Sequence, residues 1–323
     1  MRALVTGCAG FVGSHLSERL VSLGHQVVGV DCFTDYYPRP MKEANLHRLR
    51  DEPRFTLVEA DLANADLAPL VDGIDVIYHQ AGQPGVRASW GASFETYTRC
   101  NILVTQRLLE AVKGRPLRKF VYASSSSVYG DAERFPTSEA ALPQPVSPYG
   151  VSKLAAEHLV YLYRRNYGLP TVSLRYFTVY GPRQRPDMAF RRFIMWALAG
   201  QPIVVYGDGE QTRNFTYVSD VVAANLAAGE GRAEGVAVNI GGGSQVSVND
   251  VLRLIEELLG RTVEVVHDRT QRGDVRHTSA DVSLAAQLFG YAPQVDLRTG
   301  LEAEVAWVEH ESASLRQVRP ALV

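Results

Sequence analysis

The stretch that most restricts how this chain can fold is its amino end. Ala3-Leu4-Val5 is a short apolar run that stops at Thr6-Gly7, and Phe11 to Leu23 then carries helical periodicity. Between them lies Gly7-Cys8-Ala9-Gly10-Phe11-Val12-Gly13. Glycines at a strand–helix junction allow a tight turn and close approach of the backbone to a pyrophosphate, which then rests on the helix N-terminus. The spacing is Gly-x-x-Gly-x-x-Gly rather than Gly-x-Gly-x-x-Gly, and taken alone it also fits a plain turn. The next strand, Gln26-Val27-Val28-Gly29-Val30, closes on Asp31, 18 residues after Gly13. An acid at that strand tip binds ribose hydroxyls and repels a 2′-phosphate, which favours NAD over NADP. A turn or N-cap role is the plainer alternative for Asp31.

The alternation continues. Phe55-Thr56-Leu57-Val58 leads to Asp61-Leu62, and Asp75-Val76-Ile77-Tyr78 leads to His79-Gln80-Ala81-Gly82. Ala92 to Lys113 reads as helix and Phe120-Val121-Tyr122-Ala123 as a fifth strand. Parallel strands with helical crossovers make an α/β doubly wound sheet, whose ligands bind outside the carboxyl ends of the strands. Asp61, Ala81 and Ser124 fall at such ends, whereas His79 reads as a structural residue bonded to backbone.

The fifth strand runs into Ser124-Ser125-Ser126-Ser127, and Tyr149-Gly150-Val151-Ser152-Lys153 opens a helix that continues to about Tyr167. Residues at i and i+4 share a helix face, so Tyr149 and Lys153 can line one side of a cleft. An ammonium beside a phenol favours the phenolate and moves its pKa from ~10 toward neutrality, which makes a general base. After the strand Thr171 to Arg175 the alternation breaks down. The chain then mixes the short strands Ile203–Tyr206, Val236–Asn239 and Val263–Val266 with the helices Ser219–Ala228, Val248–Leu259 and Ser283–Phe289. We expect residues 1–175 plus about 214–240 to form the dinucleotide domain, 176–213 plus about 241–308 a smaller mixed α/β C-terminal substrate lobe, and 309–323 an irregular tail.

Charge and composition exclude several classes of function. A net charge of −2 gives no field for nucleic acid or an anionic membrane, so a bound anion must be held by local groups. Cys8, Cys32 and Cys100 are scattered without a Cys-x-x-Cys pair, which argues for a reducing compartment and against zinc. No apolar run approaches the ~20 residues of a spanning helix, and strand-like residues from Ala3 leave no room for a signal peptide. The expectation is a soluble, cytoplasmic protein.

The glycine turn, Asp31, the serine cluster, the Tyr149/Lys153 pair and the C-terminal lobe together resemble the extended short-chain dehydrogenase/reductases, which modify nucleotide sugars on a Rossmann sheet. The resemblance implies that Gly7, Gly10, Phe11, Val12, Asp31, Asp61, Leu62, Ala81, Gly82, Ser124, Tyr149, Lys153 and Tyr176 hold NAD. It implies that Ser125, Tyr149 and Lys153 are catalytic, that Arg213, Arg272 and Asp274 hold the nucleotide diphosphate and ribose of a UDP-sugar, and that Arg87 also binds substrate. Dimerisation through the helices Ala92–Lys113 and Tyr149–Tyr167 is a further expectation from the family.

Within that family, 4,6-dehydratases carry acids after the catalytic hydroxyl, and UDP-xylose-forming decarboxylases a glutamate. Here Ser126 and Ser127 stand there, and a serine hydroxyl is too weak an acid at pH 7 for that work without an adjacent base. Oxidation at C4 and re-reduction from the other face remain, which is 4-epimerisation. The segment Leu174 to Phe190, with Gly85-Val86-Arg87, resembles the UDP-glucuronate 4-epimerases. A 4-keto uronate is a β-keto acid that loses CO₂ unless its carboxylate is held out of line with the carbonyl π-system. Ser126, Ser127 and Thr178 can anchor it by hydrogen bonds. Arg185 could add a charge-assisted one, roughly twice as strong as a neutral bond, or could equally hold diphosphate. UDP-glucuronate decarboxylation, 4,6-dehydration and a non-catalytic NAD-binding role are the alternatives.

Overall fold

A computed structural model describes residues 1–318. The first elements follow the sequence pattern: β1 (Arg2–Thr6), α1 (Phe11–Ser22), β2 (Gln26–Asp31), α2 (Arg39–Asn45), β3 (Phe55–Glu59), α3 (Ala68–Val71) and β4 (Val76–His79). Next, α4 (Phe94–Tyr97) passes through a π-helical stretch, Thr98–Leu103, into α5 (Val104–Val112). Then come β5 (Lys119–Ser125), α6 (Pro148–Tyr167), β6 (Thr171–Tyr176) and β7 (Thr178–Tyr180). The remainder is α7 (Ala189–Ala199), β8 (Ile203–Tyr206), β9 (Thr212–Tyr217), α8 (Val218–Glu230), β10 (Val236–Ile240), β11 (Gln245–Ser247), α9 (Val248–Leu259), β12 (Val265–Asp268), α10 (Ser283–Phe289) and α11 (Leu297–Val318).

Seven parallel strands form the main sheet in the order β10-β6-β5-β4-β1-β2-β3. The side chains alternate between its faces as a two-residue period demands. Ala3 and Val5 join Leu16 and Leu20 of α1 and Val221 of α8, while Leu4 joins Leu108 of α5 and Val160 of α6. Each fully buried Val or Leu is worth about 1.5–3 kcal/mol, so these two apolar layers clamp the helices to the sheet. The strand order reverses between β1 and β4, and a crevice for a ligand opens at such a switch point.

The rest of the chain builds a smaller unit with its own core around Phe190, Ile194, Val251, Ile255 and Leu301. Its sheets are β11-β9-β7 and β12-β8. The return to the main sheet begins later than the expected Asn214: β9 pairs with β7 and β11, and α8 and β10 are the segments that rejoin it. The tail expected from Glu309 is also helical as far as Val318. Arg191 explains this locally, because its guanidinium pairs with Glu311 and lies 4.7 Å from the Trp307 ring centroid. The last part of that expectation, 319–323, falls outside the described residues.

Candidate active site

The glycine turn folds as its spacing requires. Gly7 takes φ +69°, and a Cβ there would lie 2.9 Å from the Ala81 backbone, so the ends of β1 and β4 meet only over glycine. A Cβ on Gly13 would stand 2.1 Å from the Gly7 carbonyl, so α1 can press onto the turn only without a side chain there. No side chain caps the N-terminus of α1, and Gly10, Phe11 and Val12 line a cavity of about 440 Å³. First-turn amides facing open volume are an anion cradle. Asp31 lines the same cavity, its carboxylate oriented by the Ala9 and Phe33 amides (3.1 and 2.8 Å). These features fit a dinucleotide: amides for its pyrophosphate and an acid for its ribose.

The cavity runs along the carboxyl ends of the main-sheet strands. Asp61 and Leu62 line it after β3, Ala81 and Gly82 after β4, Ser124 to Ser127 at the end of β5, and Tyr176 and Thr178 around the junction of β6 and β7. Asp61 is paired with Arg99. The Tyr176 hydroxyl accepts from Asn225 Nδ2 (2.7 Å) and donates to Gln80 Oε1 (3.2 Å). His79 is structural, but its ring meets side-chain hydroxyls rather than the expected backbone: Nδ1 bonds Thr6 Oγ1 (2.7 Å) and Nε2 bonds Thr105 Oγ1 (3.0 Å). Burial and the Lys153 charge lower its pKa to about 3, so the ring is neutral.

Tyr149 and Lys153 project from the first turns of α6, whose N-cap is Ser147, accepting from the Gly150 amide at 3.1 Å. Tyr149 meets Tyr97 edge-on, with ring centroids 6.2 Å apart. Burial raises the Tyr149 pKa, while a hydrogen bond with Ser125 and the charge of Arg185 pull it down. This differs from the sequence reading, which gave that role to Lys153. The reason is geometric: Lys153 Nζ donates to the Ala123 carbonyl (2.8 Å) and sits 5.0 Å from the Tyr122 ring centroid. Burial also lowers the Lys153 pKa, to about 8.

Arg185 lines the same cavity, gripped by Asp187 at 3.0 Å through both Nε and Nη2. Arg87, Arg213 and Asp274 do not line it. They group beyond the lining residue Val86, with Arg87 bound to Asp274 (2.6 Å) and lying 4.3 Å from the Tyr206 ring centroid. Arg213 donates to the Thr212 and Arg276 carbonyls and feels both Asp274 and Arg87. Arg272 is exposed and joins none of them.

Beyond lining residues such as Tyr36 and Gln83, two residues that brace the cavity wall from behind were missed from sequence. Asn101, in the π-helical stretch, accepts from the Gln83 amide (2.6 Å) and donates to the Gln83 carbonyl and Ser152. π-Helical turns gather at functional sites but leave no signature in residue spacing. Glu157 accepts from Ser124 (2.6 Å) and is clasped by Arg175 through Nε and Nη2 (3.0 and 2.5 Å). Arg175 continues the chain to Tyr129 (2.7 Å), which donates to Asn239 (2.7 Å). The i+4 spacing of Glu157 from Lys153 was the available clue.

This architecture has close relatives. The crystal structure of the UDP-glucuronic acid 4-epimerase from Bacillus cereus, in complex with UDP-glucuronic acid and NAD, matches with a TM-score of 0.94 and 45% identity, over 96% of this chain and 100% of that one. YtcB of Bacillus subtilis (strain 168), an uncharacterized UDP-glucose epimerase, is 46% identical across 95% of this chain and 98% of its own. A UDP-glucuronate 4-epimerase of Thermodesulfobacterium geofontis (strain OPF15) is 34% identical across 98% of each. The model of the NAD dependent epimerase/dehydratase family matches residues 3–241. With its glycine turn, serine cluster and Tyr149/Lys153 pair set around one cleft, the chain belongs to that family.

Proposed function

We propose that this protein is a UDP-sugar 4-epimerase that uses NAD and converts UDP-glucuronate to UDP-galacturonate. One observation carries the reading: Ser126, Ser127, Thr178 and Arg185 share the cavity wall with Tyr149, so hydroxyls and a cation stand where elimination chemistry needs acids. Relatives of the chain include enzymes named for this reaction.

The first-turn amides of α1 and Asp31 would hold the pyrophosphate and adenosine ribose of NAD, and Lys153, Ser124 and Tyr176 its other half. When bound, NAD supplies a hydride acceptor at C4 that later serves as the hydride donor. Tyr149, as phenolate, takes the O4 proton and gives it back after the sugar has turned. Ser125 hydrogen-bonds O4 and, through its bond to the phenol, favours the ionised base. Ser126, Ser127, Thr178 and Arg185 hold the uronate carboxylate off the carbonyl axis, which retains CO₂. Arg87, Arg213 and Asp274 take the UDP end, beyond Val86. Residues 1–175 with α8 and β10 (218–240) serve the cofactor, and 176–217 with about 241–308 the sugar nucleotide. A homodimer is part of the proposal: Leu103, beside α5, and Val151 and Leu162 on α6 are apolar yet 45–47% exposed.

The test is the product of UDP-glucuronate, incubated with and without added NAD. Unchanged mass with inverted C4 is expected in both arms. Loss of CO₂ or of water as the main outcome would replace epimerisation by decarboxylation or dehydration. Arg185→Ala should cost uronate turnover about 1.5–3 kcal/mol, the worth of a charge-assisted bond, and cost UDP-galactose much less. An equal loss on the two substrates would make Arg185 a diphosphate or structural residue.

A further inference from the structure

The loop that carries Arg185 is tied to the cofactor helix by the residue two positions before it. Arg183 has φ +67°, one of two non-glycine residues in the left-handed region among the described residues, a conformation that costs a side-chain-bearing residue about 1–3 kcal/mol. Its guanidinium reaches α1, donating to Ser14 Oγ (3.2 Å) and to Glu18 Oε1 (2.7 Å). That ion pair is mostly buried, with 12% and 20% of the two side chains exposed. The neighbouring Pro182 carbonyl accepts from His15 Nε2, also on α1, at 2.9 Å. Burial and the Arg183 charge lower the His15 pKa to about 4, so its ring is neutral.

From this anchor the loop proceeds directly to the cleft. Gln184 is fixed from the other side, donating to the Val179 carbonyl (3.1 Å) and accepting from the Arg191 amide (3.0 Å). Arg185 therefore leaves a backbone pinned on both flanks. A left-handed arginine would relax if its side chain found nothing to hold; here three side chains of α1 hold the segment.

We infer that Arg183 is a positioning residue: by latching the Arg185 loop to Ser14 and Glu18 of α1, it sets the division of a 4-keto uronate between epimerisation and loss of CO₂. The inference rests on the reading that Arg185 holds the sugar carboxylate. In the competing reaction the bond from C5 to the carboxylate breaks and its electron pair passes into the C4 carbonyl as an enolate. CO₂ leaves, C5 takes a proton, and the hydride removed from C4 stays on the nicotinamide. A carboxylate free to swing into line with the carbonyl opens that route; one held by a fixed Arg185 does not.

Arg183→Gly suits the test, because glycine adopts φ +67° without strain and only the latch is lost. Glu18→Ala removes the partner instead, and Glu18→Gln keeps a weaker acceptor as the conservative control. The ratio of released CO₂ to epimerised product is measured with UDP-glucuronate, alongside melting temperature and NAD content. Arg183→Gly and Glu18→Ala should raise that ratio at least about tenfold, within the ~10²-fold that a misplacement of about 1 Å can cost. Glu18→Gln should fall between them and the parent, with NAD content unchanged in all. A uniform fall in both products at constant ratio would overturn the latch. Arg185→Ala separates the two claims. If it raises the ratio and Arg183→Gly does not, the latch alone fails; if Arg185→Ala leaves the ratio unchanged, the carboxylate reading itself fails.

Discussion

Replacement of Tyr149 by Phe is expected to lower turnover by about 10²–10⁴-fold, the usual contribution of a positioned general base. NAD should remain bound. The ring still fills its place against Tyr97, so the fold is spared and only the proton acceptor is gone. Single-turnover formation of reduced nicotinamide from UDP-glucuronate reports the step directly, and near-normal rates would remove Tyr149 from that role. The pH profile carries a second mark. Burial raises the phenol pKa, so the phenolate is scarce at neutral pH and the rate should climb with pH, about tenfold per unit for a single deprotonation. Tyr149→Phe should show no such climb.

Glu157→Ala should cost the most stability of any single change near the cleft. Glu157 and Arg175 are 8% and 6% exposed, so truncating the acid strands a guanidinium with little water to receive it. Breaking a buried pair in this way typically costs about 3–5 kcal/mol. Ser124 loses its acceptor at the same time, at the end of the strand that presents Ser125. Chemical denaturation measures the loss. Replacing both partners by methionine should be far milder than the sum of the single changes, because no charge is left uncompensated. Additive losses would mean that the pair does not act as a unit.

The parts of this molecule that could be read from sequence are those governed by periodicity. Strands that alternate faces, as around Leu4, and helices as apolar as α9 declare themselves within a residue or two. So did the cleft residues at strand ends, because parallel strands deliver their last residues to one edge. β9 escaped notice since Thr212-Arg213-Asn214 is polar, and its pairing with β7 and β11 depends on partners distant in sequence. The continuation of α11 past Glu309 depends on Arg191, more than a hundred residues away, for which the local pattern has no symbol. Lys153 illustrates a different limit. Its i+4 spacing placed it on the correct face, but whether an ammonium turns to a phenol or to a carbonyl is decided by where β5 ends.

The π-helical stretch between α4 and α5 makes chain length itself part of the cleft. A π turn holds one more residue than an α turn, and each residue advances an α-helix by about 100°. Deleting any one residue from Thr98 to Leu103 would let the helix relax to uniform pitch while α5 stays docked. The Tyr97 ring would then swing around the axis, away from Tyr149, with no residue of the reactive set exchanged. A one-residue gap at this point in a relative would thus signal a reshaped cleft even where every catalytic letter matches.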